Sequence, residues 1–572
     1  MDYSMKAHTI IFALAVLLHQ PGIVLAQVDP KSVEGGPWDF TFTRDFIPGS
    51  TDSAGNVMHA TNVMELAIHK GKLYAGLSYE HDTIDNFRMA MIIVKDCADC
   101  PWKVDTIYGA PCFEDTCAVQ YGRVGAVESI PFTTDKYGNR LDPPVNVLLA
   151  GEWRNPKTVG VWSRNDSSGI WYRQELDKNI FIPEIRRFVH HRDAVTGVHL
   201  VFALGSGTIY HGAYDPTRPE QIEWLGKAKL SDPNNRCLSA AESQGVLYAH
   251  FAIRNDIPEP LASEGGLFRR IDGPSPRWEL VQIDEWLDPN DPRLTTRTGA
   301  MRGMTALPND ELVFSWKEPN YTIERLVPED GKFQPTIELD VYKYMAAVWG
   351  VNPLPHMIIG YNDMPEFVHP YTQERVNLVG LFAIHPSGEG NPLGNSSWFL
   401  VRHDGGTYSH GRIYDPDDPV LTARYGLRGC RTIVRSPFPE ESLTTFYFAG
   451  FDELDFRADG DLAWIYKGML PAPQTSAGEE AVLPCRLILD RNYPNPFNPS
   501  TTIRYRIPEY GHVRLKVYDV FGREIATLVH EYKQPGNYST LFTLHSTLSS
   551  GVYVYQLTSG DMSQTKAMTV IR

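Results

Sequence analysis

Apolar segments recur along most of this chain in one order. A first run, often opened by Arg, leads through a turn to a second run and then to a third that tends to end in an aromatic or basic residue. The successive units are 62–68, 71–77 and 91–94; 123–127, 145–151 and 160–162; 185–189, 200–204 and 207–210; 237–241, 245–250 and 266–269; 302–306, 311–315 and 323–325; 376–382, 398–401 and 411–414; and 431–434, 445–450 and 463–466. Short apolar runs bounded by turn residues read as strands. Seven such units at a spacing of roughly 60 residues predict an all-β body, a β-propeller of about seven blades. A four-stranded blade cannot bury both its faces alone, and closing a ring covers them while leaving only short edges. The run from Trp38 to Thr43 is available as the strand that closes the last blade. The units are unequal and carry no kelch or WD signature, so six or eight blades and a two-domain β-sandwich body are the alternatives. Almost no segment has the length, period and caps of an amphipathic helix, which argues against a parallel α/β body.

The two ends differ from the body. Residues 1–26 place Lys6 before a short apolar core, Ile10 to Leu18, and end Val24-Leu25-Ala26. This is the layout of a signal peptide cleaved after Ala26, and its core of about ten residues is too short to span a bilayer. No later stretch is apolar enough to cross, so no integral membrane segment is expected after cleavage. A Pro/Ala/Ser/Glu-rich passage, 471–486, reads as a linker between a body at 27–470 and a C-terminal unit at 487–572. That unit alternates polar and apolar residues at 502–507, 512–518 and 551–557, as half-buried strands do.

Its motifs are specific. Asn492-Tyr493-Pro494-Asn495-Pro496-Phe497-Asn498-Pro499, then Val517-Tyr518-Asp519-Val520-Phe521-Gly522-Arg523, then Gly551-Val552-Tyr553 and Lys566-Ala567-Met568 resemble the type A sorting domain of the type IX secretion system. Ala567 is a small departure, since the family usually has Met or Leu there. The resemblance implies a small Ig-like β-sandwich that the outer-membrane export machinery reads, a secreted or cell-surface destination, and in many relatives later removal of the domain.

Candidate chemistry lies in the body. The first strand of a propeller blade faces the central channel, which makes Arg123, Arg187, Arg302 and Arg431 candidate ligand-binding residues. Guanidinium groups hold carboxylate, sulfate or phosphate in bidentate fashion; the alternative is that they pair with acidic neighbours and hold blades in register. His191, His410 and Asp404 are the acid–base candidates, without any metal-ligand spacing among the histidines. Trp153, Trp162, Trp171, Trp316 and Trp398 are candidate sugar platforms. Cys97, Cys100, Cys112 and Cys117 are crowded together, which in an exported chain predicts one or two disulfides, with a tetrathiolate zinc cage as the sharper alternative. Cys237 and Cys430 read as small buried residues. No cofactor is expected, apart from Ca²⁺ at the Asp-Pro loops 288–292 and 415–419.

Composition narrows the choice of partner. The chain has 572 residues and a net charge of −16, which argues against a general nucleic-acid binder. The expectation is a secreted or surface propeller that binds an extracellular glycan or protein. The rival is a secreted hydrolase or lyase acting on an anionic polysaccharide; spacing alone leaves catalysis open.

Overall fold

The computed structural model describes residues 38–571 except 79–89, 109–119, 156–157, 179, 181, 234, 253–264, 284–298, 308–309, 318–320, 330–331, 351–356, 360–363, 384–395, 416, 418–428, 442, 452–461, 472–486, 493, 508–510, 534–535, 544–548 and 561. The signal segment, most of the linker, Cys112, Cys117 and the loop 288–292 lie outside the described residues.

The fold is all-β. Strand β1 (Thr41–Phe46) comes first, and a sheet follows from β2 (Asn62–His69), β3 (Lys72–Ser78), β4 (Met91–Lys95) and β5 (Lys103–Ile107). Three more four-stranded antiparallel meanders succeed it. They are β6 (Gln120–Thr134), β7 (Arg140–Asn155), β8 (Thr158–Asn165) and β9 (Ile170–Lys178); β10 (Arg187–Arg192), β11 (His199–Leu204), β12 (Thr208–Tyr214) and β13 (Ile222–Lys229); and β14 (Cys237–Ser243), β15 (Val246–Phe251), β16 (Gly266–Ile271) and β17 (Arg277–Leu280). The fifth sheet is β18 (Ala300–Ala306), β19 (Leu312–Lys317), β20 (Thr322–Glu329) and β21 (Lys332–Asp340), and it runs into a helix, α1 (Val341–Trp349). Two short strands, β22 (Met357–Ile359) and β23 (Glu366–Val368), pair with β24 (Arg375–Ala383), which continues to β25 (Ser397–His403) and β26 (Tyr408–Ile413). The seventh sheet is β27 (Gly429–Arg435), β28 (Thr445–Phe451) and β29 (Ala463–Met469), and β1 supplies its fourth strand, with Thr41 opposite Met469 and Phe46 opposite Ile465; single residue pairs, Phe382 with Gly429 and Asn62 with Phe451, join it to the sixth and to the first.

The inner strands of these sheets are buried on both faces, and the period-two geometry of a strand explains why their sequences read as nearly unbroken apolar runs. In β11, Val201 and Ala203 pack into a core shared with the second sheet, while Leu200, Phe202 and Leu204 pack into one shared with the fourth. In β28, Phe446 and Phe448 face the sixth sheet, and Tyr447 and Ala449 face the first. Each sheet shares a core with the next along the chain, and the seventh shares one with the first.

Helix α1 escaped the sequence reading because it is a single short insertion. Its signals are local: Asp340 caps it by accepting from the Lys343 N–H at 3.0 Å, Val341, Tyr344, Met345 and Trp349 form the buried stripe, and Gly350 ends it at φ 66°.

The C-terminal unit has its own core. One sheet holds β30 (Ile488–Leu489), β31 (Ser500–Ile507) and β34 (Gly536–Thr543), and the other holds β32 (Gly511–Tyr518), β33 (Glu524–Lys533), β35 (Gly551–Ser559) and β36 (Met562–Val570). Residues of both sheets, among them Ile503, Leu515, Tyr555 and Phe542, pack into one cluster. A polar contact joins this unit to the body, where the Arg140 guanidinium donates to His530 Nδ1 at 2.8 Å and His530 Nε2 lies 3.1 Å from Asp142.

Cys97 and Cys100 form a disulfide with each other, so neither offers the thiolate that a zinc cage requires. Cys237 and Cys430 are buried and free, in different cores. At the loop after β26, Asp415 is engaged by the Arg44 guanidinium at 2.7 Å and the Tyr466 hydroxyl at 2.8 Å. Among the described residues no helix is long and apolar enough to cross a membrane.

Candidate functional site

The first strands share a detail that repeats through the body. In β2, β6, β14, β18 and β27 the register to the following strand slips, between Val63 and Glu65, Val124 and Ala126, Cys237 and Ser239, Arg302 and Thr305, and Cys430 and Thr432. A bulge of this kind kinks a strand and re-aims the side chains that follow it. Gly125 forms the bulge in β6, where a Cβ would stand 2.0 Å from the Ile185 carbonyl oxygen; no side chain fits that approach of two sheets.

Beside the bulges in β2, β6 and β27 lies a cavity of about 270 Å³, and its polar lining is Glu65 from β2, Glu128 and Ser129 from β6, Arg187 from β10 and Thr432 from β27. Pro365, just ahead of β23, closes one side. Burial pushes the Glu65 carboxyl up to about 8, Glu128 adds to the shift, and Arg187 and Arg431 oppose it. Glu128 moves the same way, again through burial, against the pull of Arg187. Its Oε1 accepts from the Phe188 N–H at 3.1 Å and lies 3.6 Å from the Arg187 guanidinium. At neutral pH Glu65 is therefore mostly uncharged, and the Arg187 guanidinium stands on the cavity wall with it. The cavity suits an anion with neighbouring hydroxyls.

The sign of the Glu65 shift makes a prediction. A carboxyl whose pKa is higher in the fold than its ordinary 4.5 contributes fully below that ordinary value and loses its contribution as pH rises through the folded value. The wild-type chain is expected to lose about 3 to 5 kcal/mol at this site between pH 4.5 and 9, and Glu65→Gln to lose none of it. Thermal melts of the two proteins should agree at pH 5 and separate at pH 9 with the variant higher; a gap that is the same at both pH values would refute the buried, neutral acid.

The four candidate arginines divide. Arg187 lines the cavity and Arg431 acts on Glu65 while stacking 4.5 Å over the Phe451 ring. Arg123 instead lies 5.8 Å over Trp153, and Arg302 is buried in β18 outside the cavity lining. The acid–base candidates lie elsewhere too. His410 packs against α1, with its Nδ1 2.8 Å from the Tyr344 hydroxyl, and burial lowers it to about 4. Asp404 is exposed on the turn between β25 and β26. Trp171, Trp316 and Trp398 are buried in cores, and Trp162 stacks on Tyr108 at 4.8 Å, so these four pack the fold rather than offer open platforms.

His191 belongs to a joint between sheets. Its Nδ1 lies 2.6 Å from Glu242 and its Nε2 2.9 Å from Asp272, with the ring sealed from solvent. The same joint occurs between the first and second sheets, where His69 Nδ1 lies 2.7 Å from the Ser129 hydroxyl and Nε2 2.9 Å from Asp166. In both, the histidine stands at the end of a first strand and the aspartate just after the third strand of the next sheet. An arginine two residues before that aspartate, Arg164 or Arg270, pairs with it and lies over an aromatic ring of the preceding sheet, Tyr74 or Phe202. Repetition of the whole arrangement marks it as a clasp that joins sheets. Ser129, His69 and Asp166 have the order of a nucleophilic triad, but the second copy carries Glu242 where a nucleophile would stand.

Sequence reading passed over Glu65, Glu128, Ser129 and Thr432. The available signal was a carboxylate inside an apolar run, Val63-Met64-Glu65-Leu66-Ala67, since an acid on a buried strand is rare unless paired or functional.

Comparison with known proteins gives one specific result. Residues 491–571 match the secretion system C-terminal sorting domain. No curated protein matches the chain. Among solved structures, Sqt1 of Saccharomyces cerevisiae is 9% identical over 81% of this chain and 96% of its own, with a TM-score of 0.36. Sqt1 of Chaetomium thermophilum is 11% identical over 71% and 88%, with a TM-score of 0.35. The exo-β-1,3-galactanase of Phanerochaete chrysosporium is 10% identical over 92% and 99%, with a TM-score of 0.27. Similarity at these scores carries no argument about activity.

Proposed function

Because residues 491–571 are a type IX sorting domain, which implies export to the cell surface or beyond, we propose that the body is an extracellular recognition module. On this reading it is a seven-bladed propeller whose channel cavity binds an anionic group on a glycan or protein. The sequence of shared cores, with the seventh sheet against the first and β1 completing the seventh, supports the propeller. The two sheets around one core support an Ig-like sandwich for the sorting domain.

One observation carries the binding proposal. The Arg187 guanidinium lines a pocket with a buried, largely neutral Glu65, with Glu128 and with the hydroxyls of Ser129 and Thr432, a set of groups that matches an anion carrying neighbouring hydroxyls. A second reading, hydrolysis or lysis of an anionic polysaccharide, draws on the same place. Glu65 and Glu128 are two carboxyl groups of unequal surroundings on one cavity, the kind of pair that divides acid and base roles.

The full exported chain, screened against uronic-acid and sulfated glycans beside their neutral counterparts, is expected to retain only the anionic set. Arg187→Met should weaken retention about tenfold or more, the scale of a lost charge-assisted pair. Retention without new products in mass spectra supports recognition; products that vanish with Glu65→Gln support the enzyme. Equal retention of neutral and anionic glycans overturns the anionic cavity.

A further inference from the structure

Three turns in this chain are built alike. Asp52, Asp135 and Asp519 each accept through Oδ1 from the backbone N–H two residues on and four residues on, at 2.9 Å in every case. In each, Oδ2 accepts from the side chain four residues on, which is Asn56, Asn139 or Arg523. In each, the glycine at the fourth position, Gly55, Gly138 or Gly522, has φ between 78° and 88° and donates its N–H to the aspartate carbonyl at 3.0 Å. The aspartate, the glycine and the last residue make the turn; the two middle residues contribute no bond to it beyond their backbone.

What occupies those middle positions is therefore open to other demands. The first turn holds Ser53-Ala54 and the second Lys136-Tyr137. The third, which joins β32 to β33 in the sorting domain, holds Val520-Phe521, exposed by 63% and 82% with the body in place. Single exposed apolar residues are ordinary, but an adjacent pair at the tip of a bonded turn, where the same turn elsewhere in the chain is satisfied by Ser-Ala, has no folding role. The register places this tip at one end of the four-stranded sheet, the end that also carries Val552 and Ile571, each about half exposed. Arg523, at the base of the turn, lies 5.7 Å over the Phe521 ring and is itself largely exposed.

We propose that Val520 and Phe521 are the side chains by which the export machinery grips the sorting domain, inserting into an apolar socket with an acidic rim that meets Arg523. The proposal rests on the sorting role of residues 491–571. A rigid, pre-shaped apolar anchor is the feature that dominates small interfaces, because little entropy is lost when it docks.

The test uses the full chain in a host with a working type IX system. V520S/F521A gives the tip the pair that the Asp52 turn already carries, so its melting temperature should stay near that of the wild type. The exported fraction should fall about tenfold or more, as for loss of an interface anchor. Phe521→Leu should export normally and Phe521→Lys should be retained, a comparison that holds even if the double variant is less stable. Equal export of the Leu and Lys variants, or wild-type export of V520S/F521A, overturns the proposal. A chain lacking residues 487–572 runs beside them: if it is retained while the tip variants export, the tip proposal alone fails, and if it too is exported, the sorting role fails with it.

Discussion

Deletion of residues 487–572 is expected to leave the chain in the periplasm, folded, with export reduced to background. The sorting domain closes its own core, of which Leu515, Tyr555 and Phe542 are members, and it meets the body through a polar cluster in which the His530 side chain is 9% exposed and Asp142 61%, beside a cleft that residues 527–531 share with Thr133, Arg140 and His190. The core of the body contains no residue of the sorting domain, so the truncated body should still unfold in one cooperative transition. Export is all that should change. Cell fractionation followed by immunoblotting of periplasm, surface and medium reads the outcome, and undiminished export of the truncated chain would remove the basis for the extracellular assignment.

A chain that begins at residue 47 is expected not to fold. Strand β1 supplies the outer strand of the seventh sheet, more than four hundred residues away in sequence, and Trp38, Phe40, Phe42 and Phe46 are all at most 4% exposed. Phe40 alone meets Phe399, Phe446 and Phe448 at 5.0 to 5.8 Å between ring centres. Truncating one buried Phe or Trp costs about 3 to 5 kcal/mol, and a whole domain is stable by only about 5 to 15. Losing four such residues and a strand's hydrogen bonds exceeds that margin. Since Thr41 faces Met469, residues 38–46 moved behind Leu470 on a short glycine linker in a body-only chain should restore a cooperative melt. If the chain starting at residue 47 melts like the intact protein, β1 is not needed to complete the seventh sheet.

Much of this architecture is legible in the order of residues alone. The seven triplets of apolar runs correspond to three consecutive strands in each of seven sheets, the first three except in the sixth, where β22 and β23 come before them, because strands buried on both faces leave unbroken apolar stretches between turns. The closing strand is visible as Trp38 to Thr43, though it hydrogen-bonds from Thr41 to Phe46, since Trp38 and Phe40 pack as side chains ahead of the pairing. The sorting domain is legible from its motifs. The fourth strands, such as β5 and β17, are not, because a strand with one face toward water and mixed polarity leaves a weak periodic signal.

The candidate site divides along the same line. Arginine at the start of the first strand picks out four residues that the fold treats differently: Arg187 lines the cavity, Arg431 lies over Phe451, Arg123 over Trp153, and Arg302 is buried in β18. His191 looks like a base in sequence and is a sealed clasp in the fold. Glu65 and Glu128 look like interruptions of apolar runs and are the acids of the cavity. Local sequence determined which segments are strands, where they turn and where the exported tail begins, because those properties depend on neighbours within a few residues. Which side chains share a cavity depended on bulges in β2, β6 and β27 and on contacts between sheets some 60 residues apart or more. A slip of one residue turns a side chain from one face to the other, and only the assembled tertiary structure decides that.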